Sequence, residues 1–145
     1  MPFVPLRLCI VYDNARGHCG RVVPRMKTML ENRAFLVDTH EIGQGLLEVG
    51  RYRGLIFGTP VTGLGIRGEG PSRALRAFIE GLPSLDEHQV AIFCVYETRS
   101  GNTFDRMKNL LFDKGAHFVA EQAFWALRPL ENDHVIPAEC MVRIR

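Results

Sequence analysis

Three stretches of this 145-residue chain set polar, charged or hydroxyl side chains among glycines: YDNARGHCGR from Tyr12, TPVTGLGIRGEGP from Thr59, and YETRSGNT from Tyr96. The first gathers Asn14, Arg16, His18 and Cys19 around Gly17 and Gly20. Free N–H groups at a helix start, with a guanidinium beside them, are the parts of an anion site. A plain strand-to-helix turn accounts for the same residues equally well. It is not a Walker loop, because GxxxxGK[ST] is absent, and it lacks the hydroxyls that usually supplement backbone donors. The third stretch supplies such groups in Ser100, Asn102 and Thr103, whose commonest role is to cap a helix. The middle stretch contains GLGIRG, Gly63 to Gly68, a formal GxGxxG. That pattern makes the tight turn after the first strand of a βαβ unit, whereas here it follows the third apolar run inside a longer loop. Dinucleotide binding is rejected on this signal, and glycines serving positive-φ loop positions explain it.

Other chemistry is sparse. The five histidines, His18, His40, His88, His117 and His134, show no paired spacing, and neither GxSxG nor HExxH occurs. Chemistry in this chain would therefore be carried by a cofactor. The four cysteines, Cys9, Cys19, Cys94 and Cys140, form no CxxC pair or cysteine–histidine cluster and read as reduced thiols. Cys9 and Cys94 lie in apolar runs as core residues, while Cys19 falls where a helix dipole is expected to lower its pKa.

The elements that must position these loops follow from hydrophobic periodicity. Leu6 to Tyr12 and Val90 to Tyr96 are apolar runs of the kind buried on both faces of a sheet, as is the shorter Gly54 to Gly58. Phe35 to Ile42 is less apolar and belongs nearer an edge, and Phe118 to Leu127 is a fifth strand candidate. Between these runs the period changes. Val22, Val23, Met26, Met29 and Leu30 mark one helix, and Leu75, Phe78, Ile79 and Leu82 mark a second that starts near Pro71 or Ser72. Phe104, Met107, Leu110 and Leu111 mark a third, closed by Gly115. Strands alternating with helices need crossover connections, which gives an α/β domain with a doubly wound five-stranded parallel sheet. Ligands bind such sheets beyond the carboxyl ends of the strands, at the switch in strand order, and that rule selects the same three loops.

The length suits one domain, residues 1–145, with 127–145 an irregular carboxyl-terminal extension containing Pro129 and Pro137. A formal charge of +2 is too small to imply nucleic-acid binding, although five basic residues face one acid between Arg16 and Arg33. No apolar run is long enough for a membrane span, and the amino terminus lacks the layout of a secretion signal. The expectation is a soluble, cytoplasmic protein. The closing CMVRIR could pair with another chain, a route to a homo-oligomer.

Taken in order, the pieces from Leu6 to Leu127 resemble the flavodoxin family, most specifically in YRGLIFGTPVTGLGIRGEGPSRALRAFIEGL and VAIFCVYETRSGNTFDRMKNLLFDKGAHFV. The resemblance implies strand order 2-1-3-4-5 and an FMN cofactor. It places the phosphate loop at Asn14, Arg16, Gly17, His18 and Cys19, a first flavin-ring loop at Thr59, Pro60, Val61, Thr62 and Gly63, and a second at Tyr96, Glu97, Gly101 and Asn102. It also implies electron exchange with a redox partner protein and no amino-acid catalyst. The chain departs from the family's [ST]xTGNT loop, because NARGHC keeps only its glycine; Arg16 is left to compensate for lost hydroxyls. Thr62 stands where a stacking side chain is common, which leaves Tyr96 as the stacking candidate. The slight positive charge implies a less negative potential for the last reduction step than in acidic relatives. A flavodoxin-fold binding or assembly module without FMN, and a flavin-dependent reductase, are the alternatives.

Overall fold

The computed structural model describes residues 6–15, 17–62, 70–97, 101–117 and 119–126. Five strands alternate with three helices: β1 Arg7–Tyr12, α1 Cys19–Glu31, β2 Leu36–Glu41, β3 Gly54–Pro60, α2 Arg73–Glu80, β4 Gln89–Tyr96, α3 Thr103–Asp113 and β5 Val119–Trp125. A single 3₁₀ turn, Val49–Arg51, separates β2 from β3. All strand pairs are parallel and the order is β2-β1-β3-β4-β5, the arrangement the sequence implied. The expected extension at 127–145, including CMVRIR, lies outside the described residues.

Alternation along the strands divides the core. In β1, Leu8 and Ile10 join Ile56, Phe93 and Phe124 beneath the α1 stripe of Val22, Val23, Met26 and Leu30. Cys9 and Val11 face the other way, with Leu55, Phe57, Val90 and Ile92, against Leu75 and Ile79 of α2 and Met107 and Leu111 of α3. A sheet covered on both sides explains why every residue of β3 is buried, whereas β2 exposes Leu36, Asp38 and Thr39 at the edge. Each large side chain so buried contributes roughly 1.5–3 kcal/mol by leaving water.

Local chemistry sets the joints. Gly58 is a glycine because the Phe93 ring lies against it, so that a Cβ would run into that ring. Phe93 in turn meets Phe124 edge to face at 6.0 Å. The Ser72 hydroxyl accepts from Leu75 N at 3.2 Å, which caps α2 where the sequence placed its start. Gly115, at φ +97°, closes α3 with its N–H on the Phe112 carbonyl at 3.0 Å. One expectation is corrected here: Asn102 occupies the N-cap position of α3 but its side chain makes no capping bond. Ser100 lies outside the described residues.

Candidate functional site

The chain leaves β1 toward β2 on one side and β3 begins the other half of the sheet, so the switch point falls at the carboxyl ends of β1 and β3. Each of the three loops singled out by sequence begins at this end of the sheet, and they differ in what their described residues do.

Loop one is tied to itself. The buried Asp13 carboxylate accepts from Ala15 N at 3.0 Å, and Gly17, at φ +76°, turns so that its N–H reaches the Asn14 carbonyl at 2.9 Å. Asn14 Oδ1 then accepts from Gly20 N at 2.8 Å, in the first turn of α1, and Asn14 Nδ2 donates to Glu41 Oε1 at 3.3 Å. A Cβ at Gly20 would lie 2.7 Å from Asn14 Oδ1, so a larger residue there displaces the Asn14 side chain. A helix-start amide is thus satisfied by the chain's own amide oxygen. Arg16, the expected compensating charge, lies outside the described residues.

Cys19 corrects an expectation. Its thiol is raised above the ordinary value, first by burial, then by the charge of Asp13, with Cys94 adding to both. Desolvation outweighs the helix dipole because the thiol is fully enclosed in the core under α1. Tyr12 is also raised, by burial and then by Glu41. Both shifts include the effect of negative charge at this end of the sheet.

The loop after β3 is built as core. Thr59 is fully buried; its Oγ1 donates to the Pro60 carbonyl and accepts from Ser72 N, each at 2.8 Å. Pro60 and Val61 are buried as well, and Val61 N reaches the Val95 carbonyl at 3.1 Å. Thr62 pairs with Gly70 through both backbone groups at 3.0 Å, and its hydroxyl donates to the Gly70 and Pro71 carbonyls. Gly63 lies outside the described residues. In the loop after β4, Tyr96 is half-buried, while Glu97, Gly101 and Asn102 are exposed.

Among the described residues, His18 Nε2 meets Glu97 Oε1 at 2.9 Å, across 79 positions of sequence, and joins two of the loops. The Glu97 carbonyl accepts from Trp125 Nε1 at 3.2 Å, which brings the end of β5 to the same place. Asp13, Glu41 and Trp125 are site residues that loop-by-loop reading passed over. Asp13 and Glu41 carried a usable signal, because each stands at the carboxyl end of a strand.

Among the described residues at this end, two groups have no partner despite burial, His18 Nδ1 beside the start of α1 and Thr103 Oγ1 in the first turn of α3. They suit a ligand that brings its own polar groups between loop one and the loop after β4. The cradle for a phosphate is a poorer fit, because Asn14 holds the Gly20 amide and carboxylates stand at Asp13 and Glu41. At the opposite, amino end of the sheet a hollow of about 480 Å³ is lined by Arg53, Asp86, Glu87, His88, Gln89 and His117. Among the described residues no group of three or more His, Cys, Asp or Glu is placed to hold a metal, and no helix is long and apolar enough to cross a membrane.

Fold and loop geometry define a doubly wound α/β domain with a candidate ligand site at its switch point. The fold is flavodoxin-like. The chain matches a short-chain flavodoxin associated with a non-canonical PDU bacterial microcompartment with a TM-score of 0.71 at 18% identity, covering 96% of this chain and 98% of that one. A Fusobacterium nucleatum flavodoxin bound to flavin mononucleotide matches with a TM-score of 0.62 at 15% identity, over 79% of this chain and 69% of that one. The Flv1 flavodiiron core of Synechocystis sp. PCC6803 matches at 0.63 and 16% identity; this chain covers 83% of its own length there and spans 31% of that chain. No family model and no curated protein sequence matches.

Proposed function

We propose that this protein is a flavodoxin-type electron carrier that binds FMN at the carboxyl end of its sheet and exchanges electrons with a redox partner protein. The observation that carries the reading is the convergence of loop one and the loop after β4, joined by His18 and Glu97, with His18 Nδ1 and Thr103 Oγ1 left unsatisfied at the two helix starts. When bound, the flavin supplies reversible electron uptake, chemistry that no side-chain constellation of this chain provides. The protein binds and orients it. Tyr96 and the loop from Glu97 to Asn102 flank the ring on one side, and Thr62 with Gly63 flank it on the other. Thr59, Pro60 and Val61 hold that second loop in place from within the core. Asn14, Arg16, Gly17, His18 and the backbone of Cys19 would surround the far end of the ligand.

The test is simple. The purified protein is expected to be yellow, or to quench the fluorescence of added FMN. A colourless protein indifferent to excess FMN contradicts the reading and favours a flavodoxin-fold binding or assembly module, for which the Asn14 contact with the Gly20 amide is the supporting observation.

A further inference from the structure

We infer that this site selects its flavin by the ring and ribityl chain and not by the terminal phosphate, so that riboflavin is accepted about as well as FMN. The inference rests on the flavin reading above and concerns which part of the ligand the protein recognises.

A phosphate monoester carries nearly two negative charges at neutral pH and needs donors and positive potential. The described part of loop one spends a helix-start amide on its own side chain and sets two carboxylates beside it. Asn14 Oδ1 already accepts the Gly20 amide at 2.8 Å, and the absence of a Cβ at Gly20 is what lets Asn14 fit there. A phosphate oxygen would have to displace that acceptor. The Asn14 amide group is turned toward Glu41 at 3.3 Å, so this side-chain donor is engaged by a carboxylate. Behind it the Asp13 carboxylate is 7% exposed and fixed on Ala15 N. The third hydroxyl position of the family loop is Cys19, fully buried and facing the core. Two carboxylates beside the cradle repel an anion, and partial burial weakens the screening that would mute them. Arg16 and Arg21 bring positive charge to the same stretch of sequence, against those two acids and a ligand of nearly two negative charges. Glu97 adds a third carboxylate at the mouth, paired with His18. By contrast, the unsatisfied His18 Nδ1 and Thr103 Oγ1 can take neutral partners such as ribityl hydroxyls or ring carbonyls.

Fluorescence titration of the full chain with FMN and with riboflavin separates the possibilities. The expected result is quenching by both, with dissociation constants within about tenfold of each other, a difference under roughly 1.4 kcal/mol. FMN tighter by more than that margin overturns the inference and leaves the flavin reading standing. Binding of neither flavin overturns both. Asn14→Ser releases the Gly20 amide and restores a hydroxyl, and Glu41→Gln removes one repulsive charge without touching the loop backbone. Each is expected to tighten FMN several-fold relative to riboflavin. Equal change for both flavins, or no change in either variant, contradicts the assignment. Glu41→Gln, on an edge strand, keeps the test available if the loop variant does not fold.

Discussion

The loops that leave β1 and β3 face the same switch point and are built on opposite terms. The β3 loop is apolar and closed: Gly58 lies against Phe93, and Thr59, Pro60 and Val61 are buried, with the threonine hydroxyl spent on Ser72 and Pro60. The β1 loop is polar: Asn14 bridges a helix-start amide and a carboxylate, while His18 reaches across to Glu97 with its second nitrogen unsatisfied. The difference shows how the fold divides labour, with one loop serving as a rigid wall and the other holding the groups that can exchange partners. Substitutions should therefore cost stability at β3 and change ligand selection at β1.

The contrast is open to attack in order of size. Gly58→Val forces side-chain atoms into the Phe93 ring and is expected to cost about 3 kcal/mol in urea unfolding, the upper part of the range for overpacking. A loss under about 1 kcal/mol would mean the wall yields. Thr59→Val keeps the shape but strands Ser72 N without its acceptor; about 2 kcal/mol of destabilisation is expected, with flavin affinity unchanged in the folded fraction. Asn14→Ala removes a cap-like acceptor and should lower the melting temperature by the equivalent of about 1 kcal/mol. Glu97→Gln breaks a half-exposed bridge and should change stability by less than about 1 kcal/mol while altering flavin fluorescence.

At neutral pH the smallest effect is expected from the thiols. Burial pushes Cys9 and Cys94 up to about 12 and raises Cys19 as well. Alkylation of these three followed by mass spectrometry should find them unmodified in the folded protein near pH 7. A folded pKa above the unfolded value of about 9 means the native state keeps protons that the unfolded chain releases. The associated stability is fully present below pH 9 and lost as pH rises toward 12. Rapid labelling of Cys19 alone would show loop one opening far more readily than the β3 wall.

Much of the architecture was legible from periodicity, because a sheet buried on both sides writes continuous apolar runs at β1, β3 and β4 and a helical stripe at Val22, Val23, Met26 and Leu30. The loops at the switch point followed from the alternation of elements. The character of each loop was not legible, since it depends on contacts distant in sequence: Asn14 with Glu41, His18 with Glu97, and Thr59 with Ser72. Helix-dipole reasoning for Cys19 failed because whether a helix start faces solvent or core is decided by packing. Net charge, likewise, says nothing of where the charges stand. The whole chain is +2, yet Asp13, Glu41 and Glu97 gather at the end where a flavin would sit, and the nearer charges act most strongly.

The most direct test of the flavin site is an amide ¹H–¹⁵N correlation map of the labelled protein, recorded during titration with FMN. Shifts are expected to concentrate at Ala15 to Gly20 and Tyr96 to Thr103, with the Trp125 indole moving as Glu97 adjusts. A map that stays unchanged, or that moves only around Arg53, His88 and His117 at the amino end of the sheet, would contradict the account.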